Sequence, residues 1–287
     1  MWWGPLRVSR ERNFGEMKFF QIDAFASDVF RGNPAGVVPL DAWVSKDLML
    51  AIAAENNISE TAFFVPQSDE KSGHYDLRWF TPSVEVDLCG HATLASAYVV
   101  FTYLQPDLDM VSFDTRSGVL RVRKADDGWM SMDLPVIASE PLDDKRIESV
   151  VHDLLGVEPV ALRRSANLIV ILDTQAQVEA LQYTSAIGPA LKKIGFWGMM
   201  VTAPGAAGGD ADFVSRFFAP EKGIPEDPVT GSAHCAMTPY WVDRLGKTEL
   251  VAHQVSARGG QLRCELTGDR VILYGQCAPY LEGVLKI

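Results

Sequence analysis

Apolar residues come in short runs bounded by glycine, proline, asparagine and aspartate, and the spacing inside each run predicts its element. KFFQIDAFA (18–26) predicts a partly alternating strand, and RGNPAGVVPL (31–40) a turn and a short strand. SKDLMLAIAAENN (45–57) predicts a helix: Ser45 suits the N-cap, and Leu48, Ile52 and the alanines form one apolar face. TAFFVP and YDLRWFTP predict strands, and Glu60 falls at the turn before the first of them. GHATLASAYVVFTYL, from Gly90, is apolar on nearly every side, the pattern of a buried helix. MVSFDT, GVLRVRKA and GWMSMDLP then predict three strands with turns at Ser117-Gly118 and Asp127-Gly128.

A polar stretch, IASEPLDDKRIESV (137–150), interrupts this pattern, and the second half then repeats the plan. Strands are predicted at ALRRSA, NLIVILD, WGMMVTAP and DFVSRFFAP, with helical segments near 175–182 and 186–194. GSAHCAMTPYWVDRLG, from Gly231, is a second mostly apolar helix, and HQVSARGG, QLRCELTG, RVILYGQ and LEGVLKI predict closing strands. DLCGHATLASAYVV (87–100) and DPVTGSAHCAMTPYW (227–241) share an order: Asp, two or three residues, Gly, a small polar residue or His, then an apolar helix. That is a duplication of plan rather than of identity. The expected organisation is an extension at 1–16, one half at 17–137 and a second at 138–287, with the last strand able to return to the first half. A ligand-sized cleft between the halves is the expected site. The extension, MWWGPLRVSRERNFGE, is expected to be disordered, because it holds three arginines and no apolar stretch long enough for a signal peptide.

At 287 residues, with 47% hydrophobic and 22% charged, the chain has an ordinary globular composition and length for two domains of roughly 150 each. A net charge of −11 gives no basic footprint for nucleic acid and no attraction to an anionic membrane. No 18-residue apolar window predicts a transmembrane span. The four cysteines form no CxxC, and no metal spacing surrounds the five histidines. These features predict a cytoplasmic protein with reduced thiols, no nucleic-acid or membrane partner and no metal.

The two Gly-led helices are candidate anion seats. First-turn N–H groups are unpaired and carry partial positive charge, and glycine lets a ligand approach closely. Gly90-His91 and Gly231-Ser232 would suit a carboxylate substrate, or the glycines serve only tight packing. Glu60, His91 and Asp227 are residue types that both take and give a proton. Each also has a plain structural role open to it: a turn carboxylate, a core histidine and a helix cap. No nucleophile elbow, zinc-protease motif, Walker loop or dinucleotide fingerprint occurs, so no cofactor has a visible home.

MKFFQIDAF, RGNPAGV, NISETAFF, RWFTPSVEVDLCGHATLASA, EDPVTGSAH and GGQLRCEL…VILYGQ, in this order from Met17 onward, together resemble the PhzF-like isomerases of phenazine biosynthesis. The resemblance implies an α+β fold of the diaminopimelate epimerase type: two pseudo-symmetric halves, each a curved, mostly antiparallel sheet around a central apolar helix. It implies a homodimer and a cofactor-independent isomerase that moves a proton along a small carboxylate substrate, as in a dihydro-hydroxyanthranilate. Glu60 falls on the family's acid/base glutamate. His91, Asp227, Ser232 and Asn33 fall on its other polar site residues, and Gly90 and Gly231 supply backbone N–H groups. A glutamate in a dry cleft is expected to have a raised pKa. The epimerases of this fold use two cysteines, whereas here Cys89 precedes Gly90 but Thr230 precedes Gly231. An epimerase or racemase using Cys89, its thiol activated at a helix N-terminus, stays open. So does a non-catalytic metabolite-binding protein of the same fold.

Overall fold

The computed structural model describes residues 16–67 and 73–287. Glu16 opens the first strand; the rest of the expected extension lies outside the described residues. The chain divides into two compact units. One holds residues up to Ile22, Pro34–Arg121 and Pro279–Ile287, and the other holds Asp23–Asn33 and Val122–Ala278.

In the first unit, β1 (Glu16–Ala24, as far as Ile22), β2 (Asn33–Pro39, from Pro34), β3 (Glu60–Pro66), β4 (His74–Phe80), β5 (Glu85–Val86) and β6 (Met110–Thr115) form a mixed sheet. β2 runs parallel to β3, with Ala35 opposite Glu60, and β3 runs antiparallel to β4, with Thr61 opposite Phe80. The first helix, α1 (Lys46–Asn56), starts where the Ser45 hydroxyl accepts the Leu48 N–H at 3.2 Å. It ends at Asn57, whose φ of 49° is left-handed and whose N–H returns to the Ala53 carbonyl. Leu48, Met49 and Ile52 of α1 pack on Val38, Phe63 and Phe80. Phe63 is fully buried, and burial of such a side chain stabilises by about 1.5–3 kcal/mol. Three residues after the left-handed stop, β3 begins at Glu60, so this carboxylate belongs to the strand rather than to a preceding turn.

The second helix, α2 (Gly90–Val99), continues as a π-turn through Val100–Leu104 and is buried over most of its length. Its buried hydroxyls are absorbed locally. Thr93 Oγ1 donates to the Cys89 carbonyl at 2.6 Å, and Ser96 Oγ to that of Ala92 at 2.7 Å.

The second unit carries α3 (Lys145–Leu155), α4 (Gln175–Ala180), α5 (Ile187–Lys193) and α6 (Gly231–Leu245). Its strands pair mostly antiparallel; Leu168–Ile171 with Met199–Pro204 and Phe213–Ala219 with Glu249–Gln254 are parallel exceptions. α3 and α5 cover one apolar core, where Ile147, Val151 and Leu191 meet Leu168, Val170 and Val201. α6 is buried on most sides and contains Pro239. Proline there removes the N–H that would bond the Cys235 carbonyl. The Ile137 N–H, at 3.3 Å, takes that carbonyl instead, so the helix continues without an orphan acceptor.

One predicted strand moves. HQVSARGG does not form a strand along its length: the strand is Glu249–Gln254, and the next begins at Gly260. Side-chain bonds capture the residues between them. Ser256 Oγ accepts the Gly259 N–H at 3.1 Å, and the Arg258 guanidinium donates to the carbonyls of Arg31 and Gly32 at 2.8 Å each. Gly259 turns with a φ of +67°.

Candidate active site

Glu60, Cys89, Gly90 and His91 lie in the first unit, and Asn33, Asp227, Gly231 and Ser232 in the second. Each unit gathers its own set.

In the first unit, β3 presents Glu60 and the first turn of α2 presents His91. His91 Nε2 stands 3.2 Å from Glu60 Oε2, with only 8% and 13% of the two side chains exposed. Cys89, the residue before α2, places its sulfur 3.5 Å from His91 Nδ1. The backbone of Cys89 is extended and its side chain does not cap the helix. Ser59 anchors the approach to β3 by donating to the Pro34 carbonyl at 2.9 Å.

The electrostatics correct two expectations. Burial does push the Glu60 carboxyl up, but the hydrogen bond and charge of His91, with hydrogen bonds from Ser59 and Cys89, outweigh it. The net shift is downward from 4.5 rather than upward. For His91, burial pushes down, while charge and hydrogen bonding from Cys89 and Glu60 lift the imidazole well above 6.5. Burial, reinforced by the Glu60 charge, raises the Cys89 thiol above 9.0, against the expected activation at a helix N-terminus. With the thiol neutral, the anion opposite His91 is Glu60. Glu60 and His91 thus form a buried carboxyl–imidazole pair beside the Cys89 thiol.

In the second unit, Asp227 is tied on both oxygens. Asn33 Nδ2 donates to Oδ1 at 2.8 Å and also to the Val229 carbonyl at 2.9 Å. The Thr230 hydroxyl donates to Oδ2. A residue that the sequence motifs do not include completes this network. Gln254, fully buried, accepts the Thr230 N–H at 2.9 Å and donates to the Asp227 carbonyl at 2.6 Å. Its place at the buried end of a strand (HQ, 253–254) is the only signal in the sequence, and a lone glutamine there names no partner. Thr230 precedes α6 in an extended conformation without capping it, as Cys89 precedes α2. Ser232 is exposed on the first turn of α6.

Residues 22–283 match the family model described as phenazine biosynthesis-like protein. The chain belongs to the PhzC-PhzF family. An uncharacterized isomerase of Pseudomonas aeruginosa is 45% identical over 95% of this chain and 100% of its own length. A crystal structure of a PhzF-family phenazine biosynthesis protein from Enterococcus faecalis is 39% identical, with a TM-score of 0.87 over 95% of this chain and all of that one. The PhzF-family chain thus shares its α+β architecture with the diaminopimelate epimerase-like fold. A hydroxyproline epimerase from Agrobacterium vitis, only 11% identical, superimposes with a TM-score of 0.56 over 94% of this chain and 91% of that one, a likeness of fold alone. The chain is an enzyme of the isomerase class. Among the described residues, no helix is long and apolar enough to cross a membrane.

Proposed function

We propose that this PhzC-PhzF member is a cofactor-independent isomerase that moves a proton between carbon atoms of a small carboxylate substrate, with Glu60 as the proton carrier. The observation that carries this reading is the buried pair of Glu60 and His91, 3.2 Å apart. Glu60 rests ionised and takes a proton from one carbon; as a neutral acid it returns that proton to another. Pairing with His91 lowers its strength as a base but keeps it ionised at neutral pH. The remaining acceleration is assigned to orientation and to helix N–H groups that hold developing negative charge.

In this reading Gly90, and in the second half Gly231 and Ser232, bind the substrate through first-turn N–H groups and the hydroxyl. Asn33 and Asp227 complete its polar contacts. The Asp227 carboxylate, oriented by Asn33 and Thr230, accepts from a substrate amino or hydroxyl group, since a carboxylate offers about four acceptor positions. The same reading takes the enzyme as a cytoplasmic homodimer. The free thiols Cys89, Cys235, Cys264 and Cys277 suit a reducing compartment. Sedimentation at twice the chain mass supports the dimer, and sedimentation at the chain mass removes it.

An epimerase that uses Cys89 as a base is the weaker reading, because the thiol is held protonated and Thr230 stands where a second thiol would act. The test is deuterium incorporation from heavy water into a panel of amino- and hydroxy-substituted cyclic carboxylates, including a dihydro-hydroxyanthranilate. Glu60→Gln should reduce exchange by about 10²- to 10⁴-fold while the fold persists. Exchange by the variant within twofold of the parent overturns the assignment.

A further inference from the structure

Asn33 and Asp227 are 194 positions apart, so their hydrogen bond needs two separate loops held at one distance. The turn at 256–260 grips both. On one side, the Arg258 guanidinium closes on the loop that leads into Asn33. Its Nε donates to the Gly32 carbonyl and its Nη2 to that of Arg31, at 2.8 Å each, and Nη2 also reaches Asp23 Oδ1 at 2.9 Å. The other Asp23 oxygen accepts the Phe30 N–H at 2.8 Å. The Gly32 N–H, beside Asn33, donates to the Gly259 carbonyl at 2.7 Å. On the other side, Ser256 Oγ donates at 2.8 Å to the carbonyl of Pro228, which lies between Asp227 and Val229. The Val229 carbonyl in turn accepts from Asn33. Gly260 sits where the two arms meet: a Cβ there would lie 2.4 Å from Val229 Cγ2 and 3.0 Å from the Phe25 carbonyl oxygen.

Charge makes the grip strong. The Asp23 side chain is only 2% exposed, so Arg258 and the Phe30 N–H stand in for water around its carboxylate. The planar guanidinium reaches the carboxylate and both carbonyls from one rigid fork, whereas a lysine carries the charge without the fork. Without Arg258, the Arg31 and Gly32 carbonyls lose a donor and a buried carboxylate loses its counter-ion. The loop must then move to hydrate Asp23, and Asn33 moves with it.

We propose that Arg258 is a positioning residue of the isomerase. Clamped to Asp23 and to the backbone of Arg31 and Gly32, it holds Asn33 at hydrogen-bonding distance from Asp227, while Ser256 holds the Asp227 side. The catalytic consequence rests on the function proposed above, in which Asn33 and Asp227 hold the substrate; the placement of Asn33 does not. Loss of the clamp should weaken substrate binding rather than proton transfer, because other elements hold Glu60 and His91.

The experiment compares the parent with Arg258→Gln, Arg258→Lys, Ser256→Ala and Val151→Ala. Val151, in the core under α3, is the stability control. Arg258→Lys keeps the charge beside Asp23, and it decides the matter where Arg258→Gln does not fold. The first readout is the Asn33 side-chain amide signal in isotope-labelled protein, assigned by its loss in Asn33→Asp. Both Arg258 variants should displace it toward the position of a solvent-exposed amide, Ser256→Ala should displace it less, and Val151→Ala should leave it unmoved. The second readout is exchange kinetics on whichever cyclic carboxylate of the panel exchanges fastest. Both Arg258 variants should raise KM at least tenfold with kcat within threefold, the signature of lost substrate binding. Val151→Ala should lower the melting temperature with KM unchanged. An unmoved Asn33 signal in Arg258→Lys overturns the placement. A displaced signal with unchanged KM overturns the catalytic consequence. Equal displacement or an equal rise in KM in Val151→Ala reduces Arg258 to a stabilising role and overturns the proposal. Should Glu60→Gln retain exchange, the proposed function falls, while the Asn33 signal still decides the placement.

Discussion

His91 Nε2 and Glu60 Oε2 stand 3.2 Å apart, joining the start of a buried helix to the first residue of a strand. Their pKa values move in opposite directions, which fixes the pH window of the pair. Glu60 is lowered from 4.5, so its contribution is present above that value and lost as pH falls through the folded pKa. His91 is raised well above 6.5, so its contribution is present below 6.5 and lost as pH rises through the folded pKa. The melting temperature should therefore have an acid limb below 4.5 and an alkaline limb above 6.5, and kcat/KM should share the acid limb, where Glu60 is protonated. His91→Gln should lose the alkaline limb and return the acid limb toward the ordinary carboxylate range. A His91→Gln profile that superimposes on the parent's would show that the pair does not govern the reaction.

Cys89 is within contact of His91, yet burial and the Glu60 charge keep its thiol protonated. A protonated thiol cannot remove a proton from carbon. Cys89→Ala should retain turnover within about tenfold, far from the 10²- to 10⁴-fold expected on loss of a general base. Iodoacetamide should label Cys89 slowly at neutral pH, as read by peptide mass. Complete loss of exchange in a folded Cys89→Ala enzyme would move the chemistry to the thiol.

Much of the fold was legible because its signals are local. Ser45 caps α1 as its side-chain chemistry dictates, and the all-apolar runs from Gly90 and Gly231 are the two buried helices. The boundary at 253–260 was not legible, because hydrogen bonds from Arg258 to carbonyls far away in sequence decide it. The identities of Glu60 and His91 were visible, but the sign of the Glu60 shift was not. Burial alone raises a carboxylate, and only the close approach of an imidazole reverses it. Gln254 escaped because its role is set entirely by partners 24 and 27 residues away.

Gln254 gives a separate prediction in the second unit. Its amide satisfies the Thr230 N–H and the Asp227 carbonyl, and Thr230 in turn holds the Asp227 carboxylate. Gln254→Ala leaves two backbone groups without their partner, and an unpaired buried group costs about 1–3 kcal/mol. Urea unfolding should therefore show a loss of at least about 2 kcal/mol. At a temperature where the variant is folded, exchange activity should also fall, because the start of α6 and Asp227 are no longer held. Unchanged stability would mean that water replaces the amide, and unchanged activity would mean that the position of Asp227 does not matter.

Gly32 precedes Asn33 and tests how the backbone places that asparagine. Its φ is +62°, and a Cβ at this position would lie 2.2 Å from the Ala24 carbonyl oxygen. Two separate penalties then fall on Gly32→Ala: the left-handed backbone, about 1–2 kcal/mol for an L-residue, and a clash with main chain that cannot rotate away. Gly118 is the control, because its φ is +94° but a methyl group there would meet nothing within 4 Å. Gly118→Ala should lose only the left-handed penalty of about 1–2 kcal/mol in urea unfolding. Gly32→Ala should lose more than that and also reduce exchange activity, since Asn33 Nδ2 would leave Asp227 Oδ1. Equal losses for the two variants would show that the Ala24 carbonyl yields easily and that Gly32 serves the turn alone.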